Sequence, residues 1–320
     1  MRKQFIKTIT NLFKKDRKTI MLLGDIGVFG FRNLFKLYPK RIYNIGILEQ
    51  SMISLAAGLS NEGMKPIVHT IAPFIVGRAY EQLKIDFGYN NLNGNFISIG
   101  SSYDYASLGC THHCPEDINL MYNIPNMQIV IPGNSHEFNS LINQSYDNKK
   151  PTYFRLSDHE NEKKFNVKFG KSIFLNNKSR ITILAVGPVL NFLYPLIKKY
   201  KLNLIYLTTI RPFDKKILKK VSKKNSSLII VEPFYSGALI NEISNSINLK
   251  DITVKNISVP FKFLKNHWVF NAAKNGTEID FFVNFEFRNI IMEKVIGIVF
   301  TEAVDKMVNA FEDRAHTVYG

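Results

Sequence analysis

The chain has 320 residues, 45% of them hydrophobic, which is ample for buried cores, suggests two domains and excludes a disordered protein. It carries 42 Lys and Arg against 26 Asp and Glu, a formal charge of +16. The basic residues are mostly Lys, spread as pairs such as 14–15, 198–199 and 219–220 without an aromatic-interleaved stripe, so no nucleic-acid partner is expected, whereas an anionic substrate or an acidic partner surface suits the charge.

Met1 to Lys18 scatters Lys and Arg among Phe5, Ile6, Ile9, Leu12 and Phe13, which predicts an amphipathic first helix and not a secretory signal. No apolar run is long enough to span a bilayer. Two cysteines suggest no disulfide framework, so the expected location is cytoplasmic with no membrane partner. Ile20 to Leu23 reads as a buried strand running into the glycine turn Gly24-Asp25-Ile26-Gly27, the usual functional edge of a parallel sheet. A helix is expected over Phe31 to Tyr38. Tyr43, Ile45 and Ile47 alternate like a strand, and from Glu49 onward Met52, Ile53, Leu55, Ala56 and Leu59 recur at helical spacing. Glu49 therefore opens an almost wholly apolar helix. It is either an exposed first-turn partner of the helix dipole or a buried acid placed to hold or pass a proton.

Further strands are expected at Pro66–Ile71, Asn95–Gly100, Met127–Ile131 and Thr152–Leu156, with helices at Arg78–Phe87, Ile118–Tyr122 and Glu137–Tyr146. That alternation predicts a parallel α/β sheet covered on both faces. Between them, residues 101–117 form a polar loop holding Cys110, His112, His113 and Cys114. Four ligands within five residues cannot easily close a tetrahedron, so no metal site is expected there. Residues 157–180 break the rhythm with charge and Asn. The expected division is a first domain over 1–160, a linker over 161–180 and a second α/β domain over 181–276. The second starts at Ile181–Gly187 and continues with strands at Leu204–Leu207, Leu228–Val231 and Ile257–Val259 and a helix at Ala238–Ile247. Residues 277–320 form a tail: Ile279, Phe281, Val283, Phe285 and Phe287 alternate as a strand, and Ile290 to Tyr319 reads as a long amphipathic helix.

Tyr43-Asn44-Ile45-Gly46-Ile47-Leu48-Glu49-Gln50 resembles the activating-glutamate motif in the pyrimidine-binding domain of transketolase-type enzymes. The resemblance implies that Glu49 is catalytic, hydrogen-bonding the ring nitrogen of the thiamine aminopyrimidine while the cofactor carries the carbon chemistry. Val68-His69-Thr70-Ile71-Ala72-Pro73-Phe74 with Arg78-Ala79-Tyr80-Glu81-Gln82 is similar to the segment flanking that ring. Phe74 falls on the stacking aromatic, and Ile71 stands where many relatives place a second one. Gly46 completes the implied cofactor-binding set. Gly109-Cys110-Thr111-His112-His113-Cys114-Pro115-Glu116-Asp117 resembles the Gly-x-Thr/Ser-His loop. It implies that His112 reaches substrate oxygens, and His113, Glu116 and Asp117 look most like the short, split members of the family.

His113, Asp25 and Arg155 are the further substrate candidates. Larger relatives place a phosphate-binding Arg shortly after the strand Thr152–Leu156. Here Asp158 and His159 fill that place, and a carboxylate there would repel a sugar phosphate, with Arg155 as a possible substitute. Leu207–Asp214 and Val231-Glu232-Pro233 resemble pieces of the transketolase C-terminal domain, which implies structural roles for Asp214 and Glu232. No Gly-Asp-Gly, the family's metal-diphosphate motif, occurs in the sequence. The chain thus looks like half an active site. The implied assembly shares thiamine diphosphate with an N-terminal transketolase subunit that binds the Mg2+ or Ca2+, as a homodimer within a heterotetramer. The implied reaction moves a two-carbon ketol unit between sugars. The alternatives are the beta subunit of a 2-oxo-acid dehydrogenase and a non-catalytic assembly protein that kept the fold. Asp280–Phe287 and Ala310–Ala315 look like the closing strand and helix of START-like domains of the coenzyme-Q-binding and ribosome-association-toxin group, over too short a stretch to rebuild that fold, so the tail reads as a fusion remnant.

Overall fold

The computed structural model describes residues 1–221, 226–246, 252–258, 261–273 and 276–287. The amphipathic start is helix α1 (Arg2–Lys15), which buries Phe5, Ile9, Leu12 and Phe13 and turns its lysines outward. There follow β1 (Thr19–Leu23), α2 (Arg32–Leu37), β2 (Ile42–Asn44), α3 (Glu49–Asn61), β3 (Lys65–Ile71) and α4 (Tyr80–Gln82). The first half continues with β4 (Gly94–Ile99), α5 (Asp117–Tyr122), β5 (Gln128–Val130), α6 (Ser135–Ser145) and β6 (Pro151–Arg155). The helix expected over Arg78–Phe87 is irregular: α4 lies between π-helical turns at Phe74–Arg78 and Leu83–Tyr89. Each such turn fits an extra residue into the helix, a feature common at functional sites.

Strand β5 and strands β1, β2, β3, β4 and β6 build a sheet in the order β5-β6-β4-β3-β1-β2, all parallel. β1, β4 and β6 are buried along their whole length, as strands covered on both faces must be. Because the strands are parallel, the ends of β1, β2, β3, β4 and β6 share one edge, and the loops carrying Asp25, Glu49, Phe74 and His112 all leave from it. Beneath that edge His69 is buried. Its Nδ1 shares a 2.7 Å hydrogen bond with the Ile97 carbonyl, and Phe5 packs on its ring at 4.6 Å. Burial pushes its pKa down to about 4, so it is neutral at neutral pH.

The second half comprises β7 (Ile173–Leu175), β8 (Ile181–Val186), α7 (Leu190–Lys199), β9 (Asn203–Leu207), β10 (Thr209–Arg211), α8 (Lys215–Leu218), β11 (Ser226–Val231), α9 (Ile240–Ser244) and β12 (Ile252–Ile257). Its sheet has the order β12-β11-β8-β9-β7, parallel except for the edge strand β7. Two features add to the expected plan. The stretch expected to be a linker contributes β7, whose three apolar residues amid Lys and Asn are too few to show a period. β10 crosses over to pair antiparallel with β5, so the first sheet has seven strands and draws its edge from the second half. Both sheets lie in one compact unit made of Met1–Asp104 and His112–Val259.

A second compact unit gathers Tyr105–Thr111 with the described residues of the C-terminal segment. There β13 (Phe261–Ala273) and β14 (Gly276–Phe287) pair antiparallel as a ribbon, from Ala273 opposite Gly276 to Phe261 opposite Phe287. The strand expected at Ile279–Phe287 is the body of β14, while β13 was not anticipated. The helix expected at Ile290–Tyr319 lies outside the described residues. Among the described residues no helix is long and apolar enough to cross a membrane.

Candidate active site

Glu49 is the first residue of α3, and it is 1% exposed, so it is not the water-facing first-turn carboxylate that its position alone allowed. The turn before it depends on Gly46 at φ +82°, where a side chain would be strained even though the space around its α-carbon is open. Met52, Ile53, Ala56 and Ala57 bury the inner face of α3. Leu55 is exposed and Leu59 half-buried, so the helix is less completely enclosed than its composition suggested. One carboxylate oxygen of Glu49, Oε2, accepts a 2.9 Å hydrogen bond from Arg78. The other, Oε1, is buried without a hydrogen-bond partner among the described residues. A buried carboxylate oxygen left unpaired is costly, so the site is shaped for a donor or polar edge that the chain itself does not supply.

Arg78 ends the π-helical turn that begins at Phe74, which carries its guanidinium over the Phe74 ring at 4.2 Å from the centroid. His112, at the end of a 3-10 turn, meets the same ring edge-on, with centroids 5.2 Å apart and planes at 71°. Glu49, Arg78, Phe74 and His112 thus form one connected cluster drawn from three loops of the sheet edge. Sequence reading missed Arg78 as a member, although its place four residues after Phe74 was the signal. Ile71 closes β3, half-buried, at the start of the same loop.

The other candidates lie beside this cluster or away from it. His113 packs edge-on against Tyr103 at 4.9 Å. Asp25, exposed at φ +56°, is tied to Asn44. Its backbone N–H donates to Asn44 Oδ1 at 3.0 Å, and Asn44 Nδ2 donates back to Asp25 Oδ1 at 3.1 Å. This locks the turns after β1 and β2 together next to Gly46. Arg155 requires a correction. Its guanidinium is buried, donating from Nε to Asp117 at 2.6 Å and from one terminal nitrogen to Ser102 at 2.6 Å and to the Pro233 carbonyl at 3.1 Å. Asp117 also accepts from Tyr153 at 3.1 Å and from the Ile118 amide at 2.9 Å. Burial pushes the Asp117 carboxyl upward against the pull of Arg155 and these donors. Because Pro233 follows β11, Arg155 braces one sheet to the other, and its burial leaves it closed off from a sugar. After β6, Asp158 is exposed and its amide donates to Asp104 at 3.1 Å.

Among the described residues no three His, Cys, Asp or Glu side chains are grouped to hold a metal ion. Cys110 is exposed and Cys114 buried, which separates the two thiols of the histidine loop.

Two protein-family models match the chain: transketolase, pyrimidine binding domain over residues 1–162, and polyketide cyclase / dehydrase and lipid transport over residues 216–312. The second match reaches well upstream of the expected tail, into the region of β11 and β12. A protein of Rhodococcoides fascians, described as an uncharacterized 33.6 kDa protein in the fasciation locus, is 32% identical over 76% of this chain and 78% of its own length. One of the subunits of the apulose-4-phosphate transketolase of Phocaeicola vulgatus is 26% identical over 81% of this chain and 87% of its own. The fold is shared with a split gene transketolase solved as an inactive beta4 tetramer, at a TM-score of 0.71 and 23% identity over 81% of this chain and 88% of that one. A pyrimidine-binding model that spans the whole seven-stranded sheet except its edge strand, and with it every residue of the Glu49 cluster, places the chain plainly: it belongs to the transketolase family.

Proposed function

We propose that the chain is the pyrimidine-binding half of a split transketolase, which moves a two-carbon ketol unit between sugars with thiamine diphosphate. The observation that carries this reading is Glu49: a buried carboxylate with one oxygen held by Arg78 and the other unpaired beside an aromatic face. A flat heteroaromatic ring with one polar edge fits that arrangement. Glu49 Oε1 would take the polar edge and Phe74 the face, with Ile71 and Gly46 lining the approach. When bound, thiamine diphosphate supplies the carbon centre that accepts the ketol unit and spreads its charge. The chain's own part is to hold and orient: Arg78 keeps Glu49 and Phe74 in register, Glu49 holds or moves a proton at the ring edge, and His112 and His113 face the sugar hydroxyls, with Asp25 at the rim.

The sequence has no Gly-Asp-Gly, so the diphosphate and its Mg2+ or Ca2+ fall to an N-terminal partner subunit, and the active assembly is a heterotetramer built on a dimer of this chain. The relative in P. vulgatus is itself named as one subunit of a transketolase, which supports a two-chain enzyme here. The test is calorimetric titration of thiamine diphosphate with Mg2+ into the chain alone and into its mixture with the subunit that carries Gly-Asp-Gly. Tight binding is expected only in the mixture. Tight, magnesium-dependent binding by the isolated chain would overturn the half-site reading.

A further inference from the structure

The second sheet carries a cavity at the edge opposite Glu232, where β8, β9 and β11 begin. It has a volume of about 620 Å³ and is lined by Lys178, Arg180, Lys220, Thr182, Asn203 and Ser226, among others. That is within the usual size of small-molecule sites. Among the described residues no Asp or Glu lines it, and none of its three cations takes part in an ion pair. Lys220 has an aromatic neighbour instead, its ammonium 5.5 Å over the Phe174 ring. Three like charges around one opening repel each other, and the cheapest relief is a shared anion.

The wall that carries two of these cations is held in place before any ligand arrives. Asn203 Oδ1 accepts from the amides of Asn177 and Ser179 at 2.9 and 3.2 Å, while its Nδ2 donates to the Ser179 carbonyl at 2.7 Å. Asn176 Oδ1 accepts from the Lys178 amide at 3.0 Å, and Lys178 sits at φ +58°, where lysine is uncommon. The loop is therefore clamped in a left-handed turn at the cavity rim. Inside, the buried Thr182 hydroxyl accepts from Asn203 Nδ2 at 3.3 Å and keeps its own proton to donate. Cations, a hydroxyl donor and a rigid loop together make the chemistry of phosphate recognition.

We propose that this cavity binds a small phosphorylated metabolite, independently of the Glu49 site and of the reaction proposed for it. The test titrates inorganic pyrophosphate into the full-length chain by calorimetry, at low and at physiological salt. It compares the wild type with the double variant Arg180→Gln/Lys220→Gln and with a control of equal charge change, Lys198→Gln/Lys199→Gln on α7. The expected result is saturable one-site binding, weakened at least tenfold in the first variant and unchanged in the control. Lys178→Gln, also exposed, gives the same reading should the double variant fold poorly. No saturable binding to the wild type, or equal weakening in the control, would overturn the proposal.

Discussion

Replacing Arg155 by Met separates a structural brace from a substrate-binding arginine. Arg155 is 1% exposed and Asp117 fully buried, and their 2.6 Å contact is joined by bonds to Ser102 and Pro233. Taking away the guanidinium leaves the Asp117 carboxylate with only Tyr153 and the Ile118 amide, and removing one partner of a buried pair costs about 3–5 kcal/mol. That is a large share of the ~5–15 kcal/mol that holds a typical domain. The loss should also depend on pH with a definite sign. Burial already pushes the Asp117 carboxyl upward, and without Arg155 it rises further. A group whose folded pKa is raised contributes most below its unfolded pKa and loses that contribution as pH rises. Arg155→Met should therefore be most damaging near pH 8 and partly restored near pH 5. Adding Asp117→Asn should recover much of the loss, because no lone charge remains. Urea unfolding followed by circular dichroism at both pH values reads these differences as midpoint shifts. A single variant with the wild-type midpoint at pH 8 would refute the brace and return Arg155 to the candidate ligand contacts.

Glu232 offers a second pH test. It is buried at the end of β11, Oε2 accepts from Asn256 at 2.7 Å, and burial pushes its pKa up to about 7. Its contribution is fully present below the unfolded value of 4.5 and is lost as pH rises through 7, a swing of about 3 kcal/mol. Glu232→Gln, which cannot ionise, should thus gain stability relative to wild type by about that amount between pH 5 and pH 8; a constant difference in urea midpoint would contradict the assignment. For the C-terminal segment, a cut after Gly276 would strand β13 without its partner, so the informative cut precedes Phe261. Because both sheets lie in one compact unit that ends at Val259, the shortened chain should keep the main thermal transition, and cooperative loss of that transition would show that the ribbon supports the sheets.

The first half of the chain was legible through its alternation of strands and helices, with β1 a compact apolar run, although β2 stops at Asn44, short of Ile45 and Ile47, and the helix expected over Arg78–Phe87 is irregular. The clustering of the candidate residues was legible too: in a parallel sheet every strand-to-helix turn falls on one edge, so Glu49, Phe74 and His112, recognised separately, come together there. Leu55, exposed on α3, could not be told from Met52 or Ile53 by spacing alone, since a broad apolar face does not say how much of it is covered. Arg78 and Arg155 show the remaining limit. Both are arginines near site motifs, and sequence reasoning assigned Arg155 the substrate role and Arg78 none. The difference lies in partners contributed from far along the chain: Asp117 and Pro233 hold Arg155 inside the fold, whereas the π-helical turn delivers Arg78 to Glu49 and Phe74. β10 was missed likewise, because its partner β5 lies some eighty residues away and its own three residues carry no pattern.

The proposed chemistry rests on the half-paired carboxylate of Glu49, and one substitution addresses it directly. Glu49→Gln keeps the volume and an acceptor for Arg78 but removes the charge and the ability to move a proton. In the complex reconstituted with the diphosphate-binding subunit, ketol transfer by this variant should fall by on the order of 10²–10⁴-fold, the range for a positioned acid–base group, with its thermal transition close to that of the wild type. Transfer at the wild-type rate by a folded Glu49→Gln complex would contradict that role for the carboxylate.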